Sequence, residues 1–307
     1  METTLGANLR IVDTHCHLWK LELAEQTGLT EDFGPIFRTF EPSDLLQETS
    51  ACDVDMCVLI ESGKTVEEIR VMEKMAASSS LIAAIAPYVD LESPFLEQEL
   101  DSWLDNPKFR GVRARFEGHP DLDILTKPAI VNGLRKVAER GLIFEFLVRT
   151  IHLQGILRIY ERIPELKAVI EHMAKPDLTA GTDRVQWHSS MQALAQHTPV
   201  ACKLSLSPRV EQFGELLQNP DRSWPVESIK PYVRSLMKYF GPDRLMWGSD
   251  WPVTLVMSSY KETLNGMRTA IGTIPRSTEK QIFRTTALQF YGLEDDLDAQ
   301  PASLNAR

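Results

Sequence analysis

Short apolar runs rich in β-branched residues recur along the chain and alternate with longer stretches of amphipathic character. The runs at residues 9–15, 56–61, 81–89, 111–116, 142–148, 167–172, 200–205 and 244–249 predict strands. Residues 65–77, 94–105, 128–140, 153–162, 183–197 and 228–240 carry apolar side chains three or four apart, often behind a Ser, Thr, Asp or Pro start signal, and predict helices. Strand and helix in alternation imply a parallel sheet. Eight such repeats close most naturally into a (β/α)8 TIM barrel of the α/β class. A doubly wound sheet would want a glycine-rich phosphate turn after its first strand, where this chain has His15-Cys16-His17-Leu18-Trp19.

Two connections, residues 18–44 and 206–227, have no strong period over about 20 residues each, when connections of about 4–6 are usual. They follow the first and seventh strands and leave the face where barrels hold their active sites, so they are expected to be lids or pocket walls. Two more helices are expected around 260–271 and 278–291, followed by a polar, frayed tail from 294. At 307 residues the whole chain is expected to form one barrel domain.

Composition narrows the function classes. The formal charge of −10 argues against a nucleic-acid surface, since phosphate binding needs clustered Lys and Arg. No run approaches the ~18 apolar residues of a membrane span, and no basic region followed by an apolar core opens the chain, so a cytoplasmic protein without a membrane partner is expected. Cys16, Cys52, Cys57 and Cys202 lack zinc-finger or redox spacing and read as buried reduced thiols.

The candidate chemistry sits at strand ends. His15 and His17, two apart on a strand, point to one side and could share a metal ion. Glu145 lies in the fifth strand, His172 ends the sixth and Asp250 follows the eighth. Imidazoles with one or two carboxylates suit a divalent metal, zinc, manganese or iron, and an incomplete shell leaves room for water or substrate. Arg113 and Arg115 share a face of the fourth strand, and Lys203 lies in the seventh. If that face is the barrel interior, these cations could bind a substrate carboxylate, or pair with internal acids such as Glu145. Trp19, Trp247 and Trp251 flank the site strands and would give a pocket with apolar walls, or else plug the barrel end. Glu171, next to His172, should point away from the interior by strand alternation.

The chain resembles the amidohydrolase superfamily, and within it the sugar lactonases and pyrone-dicarboxylate lactonase. The matching stretches include Val12-Asp13-Thr14-His15-Cys16-His17-Leu18-Trp19, Glu171-His172-Met173-Ala174-Lys175-Pro176, Cys202-Lys203-Leu204-Ser205 and Leu245-Met246-Trp247-Gly248-Ser249-Asp250-Trp251-Pro252. The resemblance implies the barrel and places His15, His17, His172 and Asp250 in a catalytic pocket. The family often has Gly where Leu206 stands and an Asn-Ala pair where this chain has Thr286-Ala287. The expected function is metal-dependent hydrolysis of a cyclic ester in a small, carboxylated or ring-containing substrate, with Asp250 as general base. A non-haem iron oxygenase, its site built from the three histidines with Glu145 and Asp250 and able to include a carboxylate-bridged metal pair, and a metal-dependent decarboxylase are the alternatives on the same barrel. A small-acid binding protein without turnover is a third. A homo-oligomer is compatible with all of them.

Overall fold

The computed structural model describes residues 9–24, 28–178, 181–209, 212–218 and 223–295. Of the tail expected from 294, residues 296–307 lie outside the described residues. Eight strands are present among the described residues: β1 (Ile11–Cys16), β2 (Val54–Ile60), β3 (Ile82–Ala86), β4 (Gly111–Arg115), β5 (Ile143–Leu147), β6 (Ala168–Ile170), β7 (Ala201–Leu204) and β8 (Leu245–Trp247). Each is followed by a helix: α1 (Pro42–Ser50), α2 (Val66–Ala77), α3 (Leu96–Trp103), α4 (Pro128–Glu139), α5 (Leu153–Tyr160), α6 (Arg184–His197), α7 (Val226–Phe240) and α8 (Tyr260–Ile271). Local chemistry marks several of these starts. At α2, Thr65 Oγ1 accepts from Glu68 N at 3.2 Å while Glu68 Oε2 accepts from Thr65 N at 3.0 Å, a reciprocal cap that Ser259 and Glu262 repeat at α8.

All paired strands are parallel, in the runs β1-β2-β3 and β4-β5-β6-β7-β8. Isolated parallel bridges join the two runs at both seams. Between β3 and β4 they are Ile85 with Phe109 and Tyr88 with Arg113; between β8 and β1, Cys16 with Trp251. At the second seam His17 N donates to Trp251 O at 2.7 Å and Asp250 N donates to His15 O at 2.8 Å. The strand order thus returns to its start, as a barrel requires.

The strands are buried on both faces, which is why they read as nearly continuous apolar runs. Val12, Val58, Ala84, Ile143, Ala201 and Met246 pack inside the barrel together with Ala287, Leu288 and Tyr291 of the C-terminal helix (Thr286–Tyr291), which covers the end where the strands begin. The opposite end holds the long connections. That after β1 contains short helical turns at Leu21–Ala24 and Glu31–Ile36, and that after β7 contains Phe213–Gln218. The two meet where the rings of Phe33 and Phe213 touch edge to face at 5.2 Å. Both supply pocket wall, as their length and position predicted.

Candidate metal centre and active site

A β-bulge aims the first two site residues. Val12 faces the barrel interior, whereas the Asp13 carboxylate accepts from Tyr260 Oη on α8 at 2.9 Å. Asp13 pairs with Cys57 and Cys16 with Leu59, so β1 spends one residue more than β2 over this interval. The extra residue resets the alternation. Cys16 then joins Leu59 in the sheath between strands and helices, and His15 and His17 turn inward. Asp13 Oδ1 clamps the irregularity, accepting from His15 N at 3.0 Å and Ser249 N at 2.9 Å. Burial pushes the Asp13 carboxyl up, against these bonds to Ser249, His15 and Tyr260.

Donor atoms of His15, His17 and Asp250 cluster together, and His172 Nε2 approaches the same Asp250 oxygen. His15 Nε2 and His17 Nε2 are 3.1 Å apart, and Asp250 Oδ1 lies 3.3 Å from His17 Nε2, 3.5 Å from His15 Nε2 and 3.7 Å from His172 Nε2. A tetrahedral ion with ligands at roughly 2.0–2.2 Å keeps its ligand atoms about 3.3–3.6 Å apart. The residues therefore fit a divalent metal. Their second nitrogens are held from behind, as ligating imidazoles require. His17 Nδ1 faces the carbonyls of Ile60 and Glu61 at 3.1 and 3.0 Å, and His172 Nδ1 faces Ser205 Oγ at 2.9 Å. Burial, followed by the neighbouring positive groups, holds His15 and His172 well below the ordinary histidine range, so both stay neutral with a lone pair available. Asp250 Oδ2 is buried without a hydrogen-bond partner among the described residues.

His172 does not end a strand. β6 stops at Ile170, and His172, Met173, Ala174 and Lys175 all adopt positive φ, from 46° to 60°. Four consecutive left-handed residues without glycine are a strained turn held by their surroundings. Glu171, expected to face the helices, shares the inward face of Val169 and is completely buried in the site, 3.5 Å from His15 Nδ1 and 3.3 Å from Arg113 Nε, and the turn brings His172 in beside it. Burial pushes Glu171 up to about 7; Arg113 and Lys203 oppose the rise, and Glu145 and Glu61 add to it.

The other expected site residues separate into two groups. Arg113, Arg115 and Trp19 line a cavity of about 330 Å³ above the donor cluster, together with His17, His172 and Asp250. Lys203 and Glu145 lie deeper and are paired at 2.7 Å, with Tyr291 Oη donating to the second Glu145 oxygen at 2.5 Å. Glu145, expected as a metal ligand, is thus drawn to Lys203 and Tyr291 and not to the imidazoles. Lys203, wholly buried, faces Thr14 O and His15 but not the cavity. Trp247 packs outside the barrel against Tyr260 and Phe283, because its neighbour Met246 takes the interior position. Trp251 packs on Phe40 at 5.1 Å. Neither indole lines the cavity, whose apolar wall comes from Trp19 with Leu29, Phe33, Ile36, Phe213 and Val253.

The opposite wall is more polar than the sequence led one to expect. Glu61 Oε1 accepts from Arg115 Nε at 2.6 Å and Glu61 Oε2 from Arg115 Nη2 at 2.5 Å, and Lys175 Nζ lies 2.5 Å from Glu117. Arg113 Nε stands 3.4 Å from Glu61 and 3.3 Å from Glu171. Burial alone would raise Glu61 and Glu117, but Arg113 and Arg115 hold the first below the ordinary carboxylate range and Lys175 the second. Glu61, Glu117, Glu171 and Lys175 were missed as site residues. Their signal was present for three of them: Glu61 and Glu117 close or follow strand runs, and Lys175 sits in the same turn as His172.

A closed (β/α)8 barrel with three imidazoles and a carboxylate at its C-terminal strand ends defines the class of metal-centred barrel hydrolases. The chain belongs to the amidohydrolase family, whose model matches residues 12–293, and it is a hydrolytic enzyme. It is 33% identical over 243 residues to the L-fucono-1,5-lactonase of Burkholderia ambifaria, covering 79% of this chain and 80% of that one. It is 26% identical over 143 residues to a 2-pyrone-4,6-dicarboxylate hydrolase of Comamonas testosteroni, covering 47% and 46%. Among solved structures, a zinc-bound amidohydrolase from Burkholderia multivorans superposes with a TM-score of 0.81 at 24% identity over 93% of this chain and 100% of that one, which establishes the shared fold. No helix among the described residues is long and apolar enough to cross a membrane.

Proposed function

We propose that the protein is a metal-dependent lactonase that opens the ring of a small polyhydroxylated lactone. One observation carries the substrate class. Among the described residues, each Arg or Lys lining the cavity already faces a carboxylate: Arg115 faces Glu61, Lys175 faces Glu117, and Arg113 faces Glu61 and Glu171. A substrate carboxylate would have to displace one of these partners. A hydroxyl both donates and accepts, so adjacent hydroxyls can bridge such pairs without breaking them. This reading replaces the expected carboxylate clamp, and the names of the lactonase relatives support it.

His15, His17, His172 and Asp250 would hold the ion, and a set rich in nitrogen suits zinc. When bound there, the ion supplies Lewis acidity toward a carbonyl oxygen and makes water more acidic. Asp250 takes the proton of the attacking water on Oδ2, the oxygen with no hydrogen bond, and returns it to the ring oxygen as the acyl C–O bond breaks. Arg113 and Arg115 orient the substrate hydroxyls, and the apolar wall excludes water from the far side of the ring. Four buried free thiols suit a reducing compartment and support a cytoplasmic location.

The test is a panel of aldonolactones and pyrone dicarboxylates with the zinc-loaded protein and its Asp250→Asn variant. Turnover of an aldonolactone, reduced about 10²–10⁴-fold in the variant, is expected. Full activity of a folded variant, or turnover of the dicarboxylate alone, refutes the reading.

A further inference from the structure

We infer that Glu61 is a positioning residue that sets which lactones the site prefers: it holds the Arg115 guanidinium so that one free nitrogen, Nη1, meets the substrate hydroxyls. The inference rests on the lactonase reading for its substrate, while the geometry concerns only groups of this chain.

The donors of Arg115 can be counted. A guanidinium offers five N–H in a rigid planar fork. Arg115 Nε donates to Glu61 Oε1 at 2.6 Å, and Nη2 donates to Glu61 Oε2 at 2.5 Å and to Ser62 O at 2.8 Å. The two N–H of Nη1 remain. Arg115 lines the catalytic cavity with 31% of its side chain exposed, and among the described residues Nη1 is neither hydrogen-bonded nor buried without a partner. The free edge of the fork is therefore the one that meets a ligand. Arg113 lies deeper, with 6% of its side chain exposed and Nε between Glu61 and Glu171.

Glu61 can impose this geometry because it is itself fixed. It follows β2, is 1% exposed, and its N donates to Ala86 O at 3.0 Å. Its own carbonyl faces His17 Nδ1 at 3.0 Å. One residue thus sets the donor that meets the substrate in register with an imidazole of the metal centre, as a reacting carbonyl and its recognised hydroxyl require. Without the Glu61 carboxylate, Arg115 would keep Ser62 O alone, and the other acids that attract it are Glu117 and Glu171. Released from a two-point contact, the side chain regains its rotamer freedom and Nη1 loses its aim. Nη1 only donates, so it favours a ring that carries hydroxyl oxygens over one that leaves it unpaired.

Zinc-loaded wild type, Glu61→Met, Arg115→Met and the double variant are compared on an aldonolactone and on δ-valerolactone, which has no hydroxyl. Glu61→Met should lower the ratio of kcat/KM for the aldonolactone to that for δ-valerolactone by about 10–100-fold, the loss expected for one hydrogen bond from a charged group. Arg115→Met should lower it by a similar factor and the double variant no further, because Glu61 acts through Arg115. Glu61→Gln keeps the shape and one acceptor oxygen, so it should fall between wild type and Glu61→Met, and it decides if Glu61→Met does not fold. A ratio unchanged in the Glu61 variants, or losses that multiply in the double variant, overturns the inference. If wild type opens no aldonolactone, the lactonase reading fails and Glu61 is judged separately by the Arg115 Nε–H signal in ¹⁵N–¹H spectra, assigned by its loss in Arg115→Lys. That hydrogen should exchange with water slowly in wild type and faster in the Glu61 variants; an equal rate overturns the hold of Glu61 on Arg115.

Discussion

Replacing Lys203 by Met tests the buried ion pair beneath the site. Lys203 and Glu145 are both fully buried and 2.7 Å apart, so the charge left behind would have no solvent to receive it. In Lys203→Met the Glu145 carboxylate keeps Tyr291 as its donor, and Thr14 O loses its ammonium. Breaking a buried pair from one side destabilises by about 3–5 kcal/mol, a large share of the ~5–15 kcal/mol that holds a typical domain. The companion change Glu145→Gln removes the stranded charge while keeping an oxygen for Tyr291. In the Lys203→Met background it should therefore recover about 1–3 kcal/mol. Urea unfolding followed by far-ultraviolet circular dichroism and tryptophan fluorescence supplies the four free energies of the cycle. A single variant within about 1 kcal/mol of wild type, or single effects that add to within ~0.5 kcal/mol in the double variant, would refute the reasoning.

Other expectations concern the walls of the site. A Cβ at Gly248 would lie 2.7 Å from His15 Cβ, so Gly248→Ala should push His15 out of register and weaken zinc binding more than it changes the unfolding midpoint; unaltered zinc affinity counts against the placement. Arg113 and Arg115 hold Glu61 below its ordinary value of 4.5, so its contribution to stability is complete above that pH and lost as the pH falls through the depressed folded value. A Glu61→Gln variant should accordingly show a flatter acid limb when urea midpoints are compared between about pH 6 and pH 3. An equal slope in both proteins excludes that role. Lys175→Met should raise KM for the lactone with little change in kcat, because the proposed reading puts Lys175 and its partner Glu117 in the wall that faces the substrate hydroxyls and gives Lys175 no proton to move; a fall in kcat alone contradicts this.

The sequence by itself determined the barrel. Alternating apolar runs and amphipathic stretches located all eight strands and the helices after β2 to β8 within a few residues, because periodicity is a local property and burial on both faces leaves a continuous apolar signature. It missed α1, which starts at Pro42 inside a stretch read as irregular. The spacing of His15 and His17 was legible for the same local reason.

What lay beyond the sequence depended on departures from regular geometry and on distant partners. Strict alternation from Val12 would turn His15 and His17 outward, and only the bulge after Asp13, clamped by Ser249 and Tyr260 from the far end of the chain, turns them in. Strict alternation from Val169 likewise keeps Glu171 inward and sends His172 to the helices, and only the left-handed turn at His172 to Lys175 brings His172 in to Asp250. Glu145 could be a ligand in the sequence because nothing local shows that Lys203 and Tyr291, 58 and 146 residues away, reach it first. Charges inside a barrel are assigned by whichever opposite charge the closed fold places nearest, and that choice is made in three dimensions.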